Sequence, residues 1–212
     1  MVNSLFFFPF KIFRKCLNFI FYKIRYIKLK KKQLSNFDFT IISDNCLAGS
    51  IYKDLGLKFN TPTIGMFFCG NDFVRFASDL DYYLSCDFIE AKVSRWVGET
   101  AYPLALIGDV ELHLLHYNSF EDARTKWFTR VKRINRSNIF FTMTDRDYST
   151  YQDLVDFDRL PVNKKIFCSK EHSAIKSLVF CKKYSKEQHV GVIVLNLEYS
   201  DYFDLKGWLN ND

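Results

Sequence analysis

Phe37-Asp38-Phe39-Thr40-Ile41-Ile42-Ser43 leads into Asp44-Asn45-Cys46 and then Leu47-Ala48-Gly49-Ser50-Ile51-Tyr52-Lys53-Asp54-Leu55-Gly56. The first seven residues are rich in aromatic and β-branched side chains and predict a strand. The next few form a polar turn. A short helix is predicted from about Leu47 to Asp54, with Gly56 as its stop signal. Working outward, the same alternation recurs. Strands are predicted at Thr63–Phe68, Pro103–Ile107, Val110–Leu115, Ile139–Met143, Lys165–Cys168 and Gly191–Leu195. Helices are predicted at Asn71–Cys86, from Ser119 through the basic stretch Arg124 to Arg133, and at Thr150–Asp158. Alternating strands and helices predict a three-layer α/β sandwich around a mostly parallel sheet.

The chain has 212 residues, of which 48% are apolar, enough for one domain with a core. Its net charge of +6 is unevenly placed. Residues 1–32 hold nine Lys and Arg and no Asp or Glu, whereas residues 33–212 hold 21 basic and 24 acidic side chains. The basic balance therefore belongs to a leader, residues 1–36, and the domain that follows, 37–212, is slightly acidic. A basic footprint confined to a leader argues against nucleic acid as the domain's partner. Six cysteines without a CxxC pair predict free thiols in a reducing compartment and no zinc site.

The leader has no apolar run long enough to span a bilayer, because Lys11, Arg14, Lys15 and Lys23 interrupt it. From Pro9, the residues Phe10, Phe13, Leu17, Ile20, Phe21 and Ile24 recur mostly at spacings of three and four. This predicts an N-terminal amphipathic helix, followed by the polybasic Lys28–Lys32. Residues 9–32 are thus expected to lie on an anionic membrane surface, placing the protein in the cytoplasm at the inner face of the membrane. The competing reading is a helix packed on its own chain or on another subunit.

Four clusters are candidates for chemistry. The first is Ser43-Asp44-Asn45-Cys46, at the carboxyl end of the first strand, where open α/β sheets bind ligands. Cys46 is a candidate nucleophile or oxyanion-site member, Asn45 an oxyanion donor and Ser43 a competing nucleophile. A buried structural cysteine in a tight turn is the alternative. The second is Gly108 to Tyr117. Asp109, Glu111 and His113 alternate along it, and His116 follows at the strand end; either histidine is a candidate base. The third is Lys126, Arg130 and Arg133 on one helix, a candidate phosphate site or else a solvated basic face. The fourth is Asp145-Arg146-Asp147 after the strand Ile139–Met143, either a ligand-binding loop or a locally paired one. No dinucleotide fingerprint, P-loop or GxSxG elbow occurs.

Several of these motifs, in the same order, resemble a bacterial family of exopolysaccharide biosynthesis proteins, domain of unknown function 1919. The resemblance rests on Ile42 to Cys46, Ile51 to Gly65, Gly108 to His113, His116-Tyr117, Trp127, Arg130, Arg133 to Asn135, Asp145 to Asp147, Phe157-Asp158 and Leu160-Pro161. It covers about residues 37–200, leaving the leader outside. The resemblance implies a place in capsule or surface-polysaccharide assembly, where some members are labelled acetyltransferases. The Asn-Cys turn is also similar to that of a polysaccharide-modifying group that binds coenzyme A. Together these imply an acyltransferase acting on a surface glycan or its lipid-linked precursor, with a coenzyme A thioester as donor. Cys46 and His116 or His113 would form the acyl-transfer pair, with Asp109 orienting the imidazole and Glu111 lining the site. The alternatives are a glycosyl- or sugar-phosphate transferase using Asp145 and Asp147 with a nucleotide sugar and Mg²⁺, and a non-catalytic, membrane-tethered scaffold.

Overall fold

Tyr52 closes the first strand onto the first following helix: its hydroxyl donates to Phe39 O and accepts from Ile41 N-H, both at 3.1 Å. In the computed structural model, which describes residues 17–27, 29 and 33–211, strand β1 is Thr40–Ser43 and helix α2 is Leu47–Leu55. The α2 helix ends on Gly56 in the left-handed region (φ 72°), as its missing Cβ allows. Residues 17–27 form a helix, α1.

The remaining elements are α3 (Asp72–Ser78), α4 (Leu80–Ser85), β2 (Phe88–Ala91), β3 (Leu104–Ile107), β4 (Val110–His113), α5 (Phe120–Val131), β5 (Ile139–Thr144), α6 (Tyr151–Arg159), β6 (Asn163–Cys168), β7 (Leu178–Phe180) and α7 (Leu205–Asn210), with 3-10 turns at Lys182–Tyr184 and Leu195–Asp201. Strands β1, β5, β6 and β7 form a parallel sheet in the order β1-β5-β6-β7, and β2-β3-β4 form an antiparallel meander. The α/β class and the parallel sheet are as the sequence predicts; the meander is an addition.

Side-chain alternation covers the parallel sheet on both faces. Phe39 and Phe140 pack with Tyr52 of α2, the Phe39 rings lying 5.6 Å from Tyr52 and 6.2 Å from Phe140. Ile42, Phe141, Met143 and Ile166 enter the main core with Phe73 and Phe76 of α3, Trp127 of α5 and Phe157 of α6. Two caps fix helix starts. Ser119 accepts from Asp122 N-H, and Thr150 with Asp153 forms a reciprocal capping box.

Three expected elements differ. The helix predicted over Asn71–Cys86 breaks at Asp79 (φ −139°, ψ 62°), whose carboxylate caps α4 by accepting from Tyr82 N-H. Thr63–Phe68 is not a strand; Gly65 turns the chain at φ 78°, and only Phe67 forms a β-bridge. Gly191–Leu195 is not a strand either. Leu195 N-H donates to Val192 O, and Asn196 and Leu197 are left-handed, which breaks extended backbone.

The chain divides into two compact units, Phe37–Gly191 and a second made of residues 1–36 with Val192–Asp212. In the second unit, Arg25 binds Asp201 through Nε and Nη2 and Asn196 O through Nη1. Asn210 Oδ1 accepts from the backbone of Ser35 and Asn36. The leader's helix is therefore tied to the C-terminal segment rather than free of it.

Trp127 is fully buried, yet its indole N-H has no hydrogen-bond partner among the described residues. Trp127→Ala should destabilise the protein by about 3–5 kcal/mol. Trp127→Phe should cost clearly less, because it removes the unpaired donor as well as volume. Urea unfolding of the two variants checks the order.

Candidate functional site

Asp44 stands immediately beyond β1 and is only 3% exposed. Its Oδ2 accepts from Thr144 N-H at 2.9 Å and from Thr144 Oγ1 at 2.7 Å, joining the carboxyl ends of β1 and β5. Its Oδ1 lies 3.4 Å from Ser43 Oγ. Burial pushes its pKa up to about 7, against the pull of the Thr144 hydrogen bonds. Asn45 donates from Nδ2 to Thr144 Oγ1 and accepts Leu47 N-H on Oδ1. Cys46 is the N-cap of α2 and half-buried. Burial, and then Asp44 and Asp147, push its thiol pKa up. Asp147 has a left-handed φ of 53°, and burial raises its own pKa against the effect of Arg146 and His189.

The strip Phe67–Gly70 runs between this edge and the meander. Phe67 exchanges both backbone hydrogen bonds with His113, Phe68 N-H donates to Asp44 O, and Gly70 N-H donates to Asp147 O. This places Cys69 Sγ 3.3 Å from His113 Nε2. The ring of His113 is fully buried, stacked on Phe67 at 4.4 Å between centroids. Nε2 is also 3.0 Å from Glu111 Oε1, and Nδ1 is 3.2 Å from the Tyr102 hydroxyl. A carboxylate only accepts, so Nε2 carries the proton and Nδ1 accepts from Tyr102. Burial lowers the His113 pKa against the pull of Glu111 and Asp72, which holds the imidazole neutral. The thiol of Cys69 faces an N-H rather than a free base, and its pKa is pushed up to about 12 by burial and by nearby acids.

Behind this chain lies a buried acidic pair. Glu111 accepts from Ser94 Oγ and from Arg95 N-H. Asp72, fully buried, accepts from Glu111 N-H, the Trp96 indole and the Arg95 guanidinium. Charged groups this deep persist because they are hydrogen-bonded and paired. The turn Ser94–Gly98 closes by two backbone hydrogen bonds and brings Trp96 against Gly70. A Cβ at Gly70 would sit 2.3 Å from the indole, at a φ of 50°. The Tyr148 ring lies 6.0 Å from Trp96.

The expected residues thus sort by place. Ser43, Asn45, Cys46 and Asp147 share the carboxyl edge. His113 and Glu111 meet each other and reach Tyr102 and Cys69. His116 is exposed, with its Cβ against Gly65. Asp109, expected to orient an imidazole, is held at the hairpin turn by Tyr83 and Arg75; Glu111 is the carboxylate that meets the ring. Asp145 accepts from Ser169 and Val190 N-H, so its carboxylate braces two loops. Lys126, Arg130 and Arg133 line a cavity of about 280 Å³ together with Lys58 and Phe59. Sequence reasoning missed Tyr102, Cys69, Asp72 and Ser94. Asp72 and Ser94 carried no signal, and Tyr102 is distinguished only by preceding an apolar strand. Among the described residues, no three His, Cys, Asp or Glu side chains converge as metal ligands.

The family model for domain of unknown function 1919 matches residues 17–210. The chain belongs to this family. An uncharacterized protein of Haemophilus influenzae is 35% identical over 187 residues, which are 85% of this chain and 88% of that protein. The match corrects one expectation. The leader does not lie wholly outside the family domain, because α1 falls within it, in keeping with its ties to Asn196 and Asp201.

Asp44 carries a pH signature. A carboxyl raised from about 3.9 to near 7 favours the fold below its unfolded value and loses that contribution as pH rises through 7. The stability of the wild-type protein relative to Asp44→Asn should therefore fall between pH 4 and 8, by on the order of 4 kcal/mol at most. Paired denaturant titrations across this range measure the difference. A flat difference would remove Asp44 as a titrating group.

Proposed function

We propose that this protein transfers an acyl group from a coenzyme A thioester to a hydroxyl of a surface glycan or its lipid-linked precursor. The observation that carries the reading is the chain Glu111–His113–Tyr102. A carboxylate sits on one imidazole nitrogen and a hydroxyl on the other, as acyl-transfer bases are arranged. As the acceptor hydroxyl attacks the thioester carbonyl, its proton passes to the Tyr102 oxygen and the Tyr102 proton to His113 Nδ1. The C–S bond breaks, and the leaving thiolate takes the proton back. Glu111 stabilises the imidazolium formed in between. Both nearby thiols are held neutral, which favours direct transfer over a cysteine-bound intermediate. This gives Cys46 a substrate-lining role. The family resemblance supports the glycan as acceptor.

Incorporation of labelled acetate from acetyl-coenzyme A into glycan, in membranes of the source cells, tests this. Tyr102→Phe and His113→Gln should each lower it by about 10²–10⁴-fold, while Cys46→Ala keeps most of it. Unchanged incorporation with His113→Gln, in a variant that folds, would sink the mechanism.

We also propose that the protein works attached to an anionic membrane surface. Among the described residues, no helix is long and apolar enough to cross a membrane. On α1, Leu17, Ile20, Phe21, Ile24 and Ile27 recur at helical spacing and are each 37–54% exposed. An outward apolar stripe with Lys23 beside it and Lys28–Lys32 after it fits an interfacial helix. The full chain should sediment with vesicles containing phosphatidylglycerol, and Ile20→Asp with Ile24→Asp should release it. Equal sedimentation of the double variant, or of the wild type with neutral vesicles, contradicts this attachment.

A further inference from the structure

A second basic feature lies away from the carboxyl edge. The segment Leu57–Phe59 and the face of α5 bearing Lys126, Thr129, Arg130 and Arg133 enclose the cavity of about 280 Å³. It lies toward the amino end of β1: Asn135, two residues beyond Arg133, donates its backbone N-H to Thr40 Oγ1 at 2.9 Å. Four of its lining residues are cationic and none is acidic. Lys126 is paired with Asp122 at 2.7 Å, whereas Lys58, Arg130 and Arg133 form no ion pair among the described residues.

The arginines are held in place without being neutralised. Arg130 donates from Nη1 to the Tyr117 hydroxyl at 2.7 Å and to Ile64 O at 3.4 Å, and its guanidinium lies 5.7 Å from the Phe59 ring centroid. Arg133 Nη1 donates to Phe59 O at 3.4 Å. Among the described residues, the Nε and Nη2 of each arginine have no hydrogen-bond partner. Fixed guanidinium forks over a concave, acid-free surface match the oxygens of phosphate esters.

We propose that this cavity binds the diphosphate group of an organic diphosphate. It is at or below the size of pockets that enclose whole small molecules, so it suits the charged group, with the organic part extending outside past Phe59. The class includes coenzyme A and nucleotide sugars. The site stands independently of the acyl-transfer reading, and its test reads binding rather than turnover.

Titration calorimetry of the full chain with inorganic pyrophosphate, coenzyme A, UDP-glucose and sulfate decides it. Pyrophosphate is expected to bind more tightly than sulfate and to weaken as salt rises. Whichever of coenzyme A and UDP-glucose binds more tightly than pyrophosphate identifies the source of the group. Lys58→Met with Arg133→Met should weaken binding at least tenfold. Lys58 is exposed and forms no hydrogen bond or ion pair among the described residues, so Lys58→Met alone, with a smaller loss expected, serves if the double variant fails to fold. The proposal is overturned if none of the three phosphates binds, if sulfate binds as tightly as pyrophosphate, or if Lys58→Met and the double variant bind like the wild type.

Discussion

Phe67, Phe68 and Gly70 spend their backbone hydrogen bonds on three separate elements: His113 of the meander, Asp44 after β1 and Asp147 after β5. Buried backbone donors and acceptors must be paired, so this strip fixes the antiparallel meander against the parallel sheet at one register. Everything at the carboxyl edge depends on that register. It carries Cys69 to His113 and brings Trp96 down onto Gly70, where no Cβ fits.

The charges follow from the same placement. Asp72, Glu111, His113 and Asp44 are all nearly or fully removed from water, which is costly unless each finds donors. Glu111 and Asp72 find theirs in Ser94, Arg95 and Trp96, on the turn that the strip supports. Asp44 finds Thr144 and keeps a raised pKa. The edge thus combines a neutral imidazole, neutral thiols and a carboxyl that titrates near pH 7. Such an environment handles protons through hydrogen-bonded relays more readily than it sustains a thiolate.

The second unit has a different logic. Arg25 joins α1 to Asn196 and Asp201, although the two segments are about 170 residues apart in sequence and both lie within the family match. Of the polar residues of α1, Arg25 makes this contact, while Leu17, Ile20, Phe21, Ile24 and Ile27 are exposed. A helix normally buries such a stripe, and its exposure, with the uneven charge of residues 1–32, is what supports the proposed membrane attachment.

The sequence alone determined the α/β class, the strand-turn-helix at Thr40–Leu55, the helix starts at Ser119 and Thr150, the grouping of Lys126, Arg130 and Arg133, and family membership. These are local or periodic properties, written in residues a few positions apart. It also singled out His113 and Glu111, two apart on one strand face. Only the tertiary structure decided that Glu111 rather than Asp109 meets the imidazole, that Asp145 braces two loops, that His116 is exposed, and that Tyr102, Cys69 and Asp72 belong to the site. Apart from the Glu111–His113 contact within one strand, those outcomes come from contacts across 11 to 45 residues of chain, made by hydrogen-bond partners that no spacing rule encodes. Asp109 and Glu111 are equivalent in pattern; the hairpin turn puts one in water beside Arg75, and the strand carries the other into the interior.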